Sequence, residues 1–208
     1  MTDPLPIVFI IASLMLIITP GQDMILVMSR SISQGAKAGV ATAAGVSTGL
    51  LGHTLLAAFG LGALLRASEI LFMAVKLAGS AYLIYLGVLH FRQKGLNIDV
   101  QNMLAVPLKK LYFQGALSNL SNPKIAIFYF AYLPQFVPAD AANPTSRLLL
   151  LGTVFAILTF MIKGPVGFTA GVLSNWLRSR PAVSAWINRI SGGVLIALGL
   201  KLAFERRS

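Results

Sequence analysis

The chain interrupts two of its own hydrophobic segments at matching places. One reads Ile18-Thr19-Pro20-Gly21-Gln22-Asp23, the other Leu120-Ser121-Asn122-Pro123-Lys124. Each puts a proline and an ionisable residue inside a stretch apolar enough to cross a bilayer, in the first hydrophobic segment of its half of the chain. Proline removes a backbone donor and clashes with the preceding turn, so a helix stops or kinks there. Lipid offers the freed backbone groups no water, so such breaks survive only where protein or a wet cavity surrounds them. Breaks in corresponding segments of two halves are the best sequence pointer to a transporter's binding site.

Six apolar windows stand out, at about 6–28, 39–65, 71–91, 112–134, 148–173 and 182–204. Each reaches the roughly 20 residues a membrane helix needs. Only 11% of the 208 residues are charged, against about 25% in soluble domains. The windows use up most of the chain, so residues 1–208 read as a single transmembrane domain. Barrel strands would alternate in hydrophobicity, and these runs do not. The first window lacks the basic start of a signal peptide, since only Asp3 precedes it.

The expected architecture is therefore an all-α membrane protein of six transmembrane helices, with helices one and four broken. Three helices followed by three is an odd-numbered repeat, so the halves must be inverted. Lys76-Leu-Ala-Gly-Ser-Ala-Tyr-Leu-Ile-Tyr-Leu-Gly87 and Asn188-Arg-Ile-Ser-Gly-Gly-Val-Leu-Ile-Ala-Leu-Gly199 support this by sharing Leu-Ile-x-Leu-Gly. Repeat one covers about 1–91 and repeat two about 112–208, joined by a basic, cytosolic linker at about 92–111.

A formal net charge of +11 suggests nucleic acid in a soluble protein; here it encodes orientation. Arg30, Lys37, Arg92, Lys94, Lys109, Lys110, Arg178 and Arg180 lie in the linkers after windows one, three and five. Arg66, Arg147, Arg206 and Arg207 on the other side are offset by Asp3, Glu69, Asp140 and Glu205. The positive-inside rule puts the first set in the cytoplasm and both termini outside, in a bacterial inner membrane. The lack of cysteine excludes thiolate metal sites and cysteine nucleophiles. No metal and no cofactor is expected.

At the first break, Thr19 fits as N-cap, Pro20 as the first helical residue and Gln22 as the partner in a capping box. Asp23 follows in the first turn, where the helix dipole favours a negative charge. An acid at the centre of a membrane helix costs about 2.5–3.5 kcal/mol and usually serves function. At the second break Asn122 fits as N-cap and Pro123 as the first helical residue, with Asn119 one turn earlier. Two such helix N-termini facing each other make an anion site, which Lys124 would strengthen. An α-carboxylate suits that site; Asp23 would meet an α-amino group or carry a proton.

A third break is expected at Lys163-Gly164-Pro165, with Lys163 too deep to snorkel. His53, its rough counterpart in window two, is the second proton-coupling candidate beside Asp23. Lys76, His90 and Arg189 sit nearer segment ends and read as solvated or snorkelled. Gly35, Gly39, Gly45, Gly49 and Gly52, with Gly192 and Gly193, read as close-packing faces. Phe128-Tyr129-Phe130-Ala-Tyr132 reads as core, and Tyr82 and Tyr85 as weaker pathway candidates.

Taken in order, Thr19-Pro20-Gly21-Gln22-Asp23, Gly39 through Gly49, Lys76-Leu-Ala-Gly79, Tyr82-Leu-x-Tyr-Leu-Gly87, Phe113-x-Gly115-x-Leu-x-Asn119-x-x-Asn122-Pro123-Lys124 and Ala131-x-Leu-Pro134-Gln135-Phe136 resemble the LysE/RhtB translocator family of bacterial amino-acid exporters. The likeness covers essentially the whole chain. It implies export of amino acids from the cytoplasm, coupled to the proton motive force, and nominates Pro20, Gly21, Asp23, Asn122, Pro123 and Lys124. The full candidate substrate site is Pro20, Gly21, Gln22, Asp23, Asn119, Asn122, Pro123, Lys124 and Lys163.

Lysines outnumber acids in the core, which favours carboxylate recognition and neutral cargo of the homoserine, threonine or leucine type. A lysine or arginine exporter is the alternative, and a channel or non-transporting scaffold the alternative of another class. A membrane enzyme is not expected: an aspartyl protease needs two carboxylates, and neither His53 nor His90 joins a nucleophile motif. The expected partners are the amino acid, protons and the bilayer, with a homo-oligomer left open and no nucleic acid.

Overall fold

A computed structural model describes residues 5–61, 69–93, 105–138, 141–178 and 180–204. Eight α-helices lie among these: α1 (Leu5–Ile18), α2 (Gln22–Gln34), α3 (Ala36–Leu56), α4 (Glu69–Arg92), α5 (Leu108–Leu120), α6 (Pro123–Ile127), α7 (Pro144–Arg178) and α8 (Pro181–Phe204). A π-helical turn, Ala57–Leu61, extends α3, and another, Phe128–Tyr132, follows α6 before a 3₁₀ turn at Leu133–Phe136. The described residues hold no strand.

Among the described residues four helical stretches are long and apolar enough to cross a membrane: Ala36–Gly60, Met73–Arg92, Pro144–Ala170 and Ala182–Phe204. The pair Ile7–Ile18 and Gln22–Gln34 makes a fifth if taken as one span bent by 51°. The window at 112–134 is built differently. It falls across the 13-residue α5, the 5-residue α6 and the two tighter turns that follow.

Helix α3 is the centre of the bundle. Small residues let its backbone meet those of α5 and α7 directly. A Cβ at Gly45 would strike the Tyr112 backbone, and one at Gly49 would stand 2.7 Å from the Ala116 carbonyl. On the α7 side Gly39 faces Gly167, and Thr54 fills the space beside Gly152. These pairings run parallel for α3 and α5 and antiparallel for α3 and α7. Another antiparallel pair is α4 with α8, where Gly87 meets Gly192 and Gly199 meets Ser80 and Ile84.

Two glycines depart from the packing expectation. Gly35 has φ +86° and forms the turn between α2 and α3, a backbone region that glycine enters without steric cost. Gly193 faces open space. The aromatic run is core: Phe128, Tyr129 and Tyr132 are buried, and Phe128 stacks on Phe155 at 4.6 Å. Tyr85 lies on the exposed outer face, so it lines no interior path.

The expected third break is absent. Helix α7 runs unbroken through Pro165. One proline removes one hydrogen bond, and the ladder on either side holds the helix together. Lys76, expected near solvent, is buried, whereas Arg189 is exposed. Of the residues used for orientation, Asp3, Arg66, Lys94, Asp140, Glu205, Arg206 and Arg207 lie outside the described residues, as does 94–104 of the linker. Lys37, Arg92, Lys109, Lys110, Arg147 and Arg180 are exposed.

Candidate substrate site at the two helix breaks

The two breaks interlock. Asp23, in the first turn of α2, is 2% exposed and reaches across to the end of α5 and the start of α6. Its Oδ2 accepts from Asn119 Nδ2 at 2.8 Å and from Asn122 Nδ2 at 3.1 Å. Its Oδ1 accepts from Ser118 Oγ at 3.2 Å. Lys163 of α7 forms a salt bridge to Oδ2 at 3.5 Å. One carboxylate thus draws α2, α5, α6 and α7 together.

Local sequence explains each position. Asn122 caps α6 by accepting from the Lys124 backbone N–H at 3.1 Å, with Pro123 at the first helical position. The same side chain therefore holds the helix start with its oxygen and Asp23 with its nitrogen. Asn119, in the last turn of α5, is fully buried. Its backbone carbonyl lies 3.1 Å from His53 Nε2. The His53 ring stacks on Tyr129 at 5.5 Å, whose hydroxyl sits 3.1 Å from that of Thr54 and donates to the Gly152 carbonyl at 3.2 Å.

The first break is not the expected capping box. Thr19 Oγ1 donates back to the Met15 carbonyl at 2.7 Å, which finishes α1 rather than starting α2. Gly21, in extended conformation, is the N-cap of α2 without a side-chain bond, and Pro20 lies in the break itself. Gln22 begins α2, and its amide reaches Ser118 instead of its own backbone, at 3.2 Å to Oγ.

Lys124 sits at the opposite pole from the one expected. Its Nζ donates to the Thr19 carbonyl at 3.2 Å, at the carbonyl end of α1, where a helix carries partial negative charge. A Cβ on Gly21 would come within 3.1 Å of that ammonium, so the glycine gives the lysine room. Among the described residues Lys124 has no carboxylate within ion-pair distance.

Asp23, Asn119, Asn122, Lys124, Lys163 and His53 are thus buried together. Gln22 and Pro123 lie at the exposed rim. Sequence reasoning missed Ser118 and Thr54, and read Tyr129 as core without its hydrogen bonds. The available signals were weak: Ser118 lies one turn before Asn122, and Thr54 adjoins His53. Several buried polar atoms have no protein partner, among them Asn119 Oδ1, His53 Nδ1, Ser13 Oγ and Thr159 Oγ1. Buried polar groups are nearly always satisfied by protein, water or ligand.

Residues 14–206 match the family model of the LysE type translocators. The chain belongs to that family. It is accordingly a membrane protein of a transport family, and its motif residues at both breaks fall in the junction just described. A membrane protein of Bacillus subtilis, YrhP, itself uncharacterized, is 32% identical over 196 residues, covering 90% of this translocator and 92% of the relative. The homoserine/homoserine lactone efflux protein of Salmonella typhimurium is 30% identical over 201 residues, 96% of each chain. The Salmonella typhi protein of the same name matches equally, at 30% over 96% of each chain. No solved structure matches this translocator.

Proposed function

We propose that this translocator exports neutral amino acids of the homoserine, threonine or leucine type from the bacterial cytoplasm by a proton-coupled cycle centred on Asp23. One observation carries the reading: a single buried carboxylate cross-links both helix breaks and a lysine from a third helix. Ionisable groups inside a membrane protein mark substrate or proton pathways. Asp23 is saturated with partners, so the arrangement is a latched state. A substrate ammonium competes with Lys163 for Asp23, or a proton neutralises it; either loosens the join between the breaks.

Charge arithmetic supports a carboxylate as the other half of the cargo. Asp23, Lys124 and Lys163 together hold one surplus positive charge away from water. An α-carboxylate at Lys124 gives that cation the counter-charge it lacks, while the cargo's own ammonium meets Asp23, so a neutral amino acid adds no net charge to the site. A lysine or arginine cargo would add a cation to this surplus, which disfavours the basic alternative. The named efflux activity of the Salmonella relatives fits the same class.

The architecture that goes with this reading is six crossings in two inverted halves. Helices α5 and α6 with the turns to Phe136 form the broken fourth crossing, matching the bent α1–α2 pair. The basic linker at about 92–111 is cytosolic and both termini are periplasmic. The cycle needs the amino acid, protons and the inner-membrane bilayer.

The test is uptake of a labelled amino-acid panel into inside-out vesicles with and without an imposed proton gradient. Saturable, gradient-driven uptake of a neutral amino acid is expected, abolished by an uncoupler. Non-saturating flux untouched by uncouplers would make the protein a channel. Uptake confined to lysine or arginine would restore the basic alternative.

A further inference from the structure

Side chains tie α2 to α5 along the length of α2. Gln22 Nε2 donates to Ser118 Oγ at 3.2 Å, Arg30 Nη2 donates to Gln114 Oε1 at 3.0 Å, and the Val106 N–H just ahead of α5 donates to Gln34 Oε1 at 2.7 Å. The partners run in opposite order, so the two helices lie antiparallel with a polar seam between them. The seam starts beside Asp23 and ends at the Gly35 turn into α3. Gln22 is exposed, and Arg30, Gln34, Val106, Gln114 and Ser118 are partly so. Charged groups in membrane segments face the protein interior or a water-filled cavity, so the seam is a wet approach to Asp23.

Its two sides are held differently. Helix α5 is seated backbone to backbone on α3, with Gly45 against Tyr112 and Gly115 against Thr42 and Val46. Helix α2 is 13 residues long and stands between two glycines, the extended, uncapped Gly21 and Gly35 at φ +86°. Its apolar face packs through Met24 and Met28 on Ala170, and methionine repacks readily. Each seam bond leaves α2 from a side chain, so α2 can swing off α5 without breaking a backbone bond. Arg30 is the cation in the seam. Its guanidinium has a neutral amide oxygen as partner and its Nε is buried without one. Among the described residues no carboxylate lies within ion-pair distance of it. Arg30 stands seven residues beyond Asp23, about 10 Å along the helix.

We propose that the α2–α5 seam is the cytosolic entrance of this translocator and that Arg30 is the first site the cargo meets there. A carboxylate is a better acceptor than an amide for the planar guanidinium fork, because it takes two parallel charge-assisted bonds. The cargo's α-carboxylate therefore displaces Gln114 from Arg30. That exchange undoes the middle bond of the seam, α2 swings out on Gly35, and the amino acid passes inward to Asp23 and Lys124.

This inference rests on the export reading and its cytosolic placing of the α2–α3 turn, and the test separates the two. L-homoserine carries a carboxylate and L-homoserine lactone does not. In inside-out vesicles Arg30→Gln should raise the KM for homoserine about tenfold, the loss expected for a hydrogen bond to a charged group. The KM for the lactone should stay within about twofold. The chain has no cysteine, so Gln34→Cys/Val106→Cys can be joined across the seam with a short, reducible bifunctional thiol reagent. Joining the pair should stop uptake, and reduction should restore it. If Arg30→Gln does not reach the membrane, the joined pair, which keeps Arg30, decides. Undiminished uptake by the joined protein overturns the entrance. An equal effect of Arg30→Gln on both substrates, or none on either, overturns the Arg30 site; both results leave export intact. Wild-type vesicles that carry no amino acid would sink the export reading and this inference with it.

Discussion

The two helix breaks look alike in sequence and do opposite work in the structure. The second is tight: Ser121 and Asn122 separate α5 from α6, and the Asn122 side chain caps the new helix. The first is open: Thr19, Pro20 and Gly21 separate α1 from α2, the axes turn by 51°, and no side chain caps α2. The first break supplies an acid and a helix-end carbonyl, Asp23 and Thr19 O. The second supplies amide donors and a cation, Asn119, Asn122 and Lys124. What joins the two breaks is complementarity rather than duplication. A proline break places backbone and side chains at depth, and the residues after it decide the sign of the charge.

The strongest way to break that pairing is Asp23→Asn. Removing the acid leaves Lys124 and Lys163 buried together without a counter-charge, and stranding one partner of a buried pair costs about 3–5 kcal/mol. The expected result is loss of gradient-driven transport together with a lowered thermal midpoint in detergent. Full proton-coupled transport by this variant would take Asp23 out of the mechanism.

Lys163→Met should cost less. Asp23 then keeps its bonds to Ser118, Asn119 and Asn122, each worth about 1.5–3 kcal/mol when the acceptor is charged. The double variant Asp23→Asn/Lys163→Met should be more stable than Asp23→Asn alone, because it removes the stranded cation. Purely additive midpoints would mean that the 3.5 Å pair contributes nothing specific.

A third comparison sets the breaks side by side. Asn122→Ala removes both a cap, worth about 0.5–2 kcal/mol, and a bond to Asp23. Thr19→Val removes only a back-bond to the Met15 carbonyl, which the Thr19 backbone N–H still satisfies at 3.1 Å. Its cost should stay below about 1 kcal/mol. Equal destabilisation by the two would mean that Thr19 caps α2 after all.

What was readable in the sequence follows from the range of each force. Asn122 and Pro123 obey capping rules that operate within one turn, so their geometry was legible. Asp23 and Lys163 stood out because a charge in an apolar run has few explanations. Thr19 was misread because a threonine before a proline serves equally as cap or as back-bonded helix end, and only the extended Gly21 decides. Pro165 was misread because helix continuity depends on neighbours either side of it. Ser118 and Thr54 were invisible: a serine or threonine within a helix gains meaning only from the helix packed against it. The spans show the same limit. Four unbroken helices and the bent α1–α2 pair were marked by hydropathy, whereas the segment from α5 to Phe136 breaks once and then changes helical type twice, which hydropathy does not register.

The finest test of the pairing is Gly21→Ala, because it touches the point where the first break meets the cation of the second. The backbone there is extended, φ −171° and ψ −174°, which alanine adopts freely. Replacing glycine at a compatible position stabilises by about 0.4–1 kcal/mol through the unfolded chain. The new Cβ would stand 3.1 Å from Lys124 Nζ and 3.6 Å from its Cε, so the flexible end of the lysine must shift by a few tenths of an ångström. That shift loosens a bond to the Thr19 carbonyl that is already 3.2 Å long. Stability should therefore hold or rise slightly, while the KM for an amino acid with a free carboxylate changes a fewfold. An unchanged KM would mean that the first break does not set the position of Lys124, and that the two breaks communicate through Asp23 and the Gln22–Ser118 bond instead.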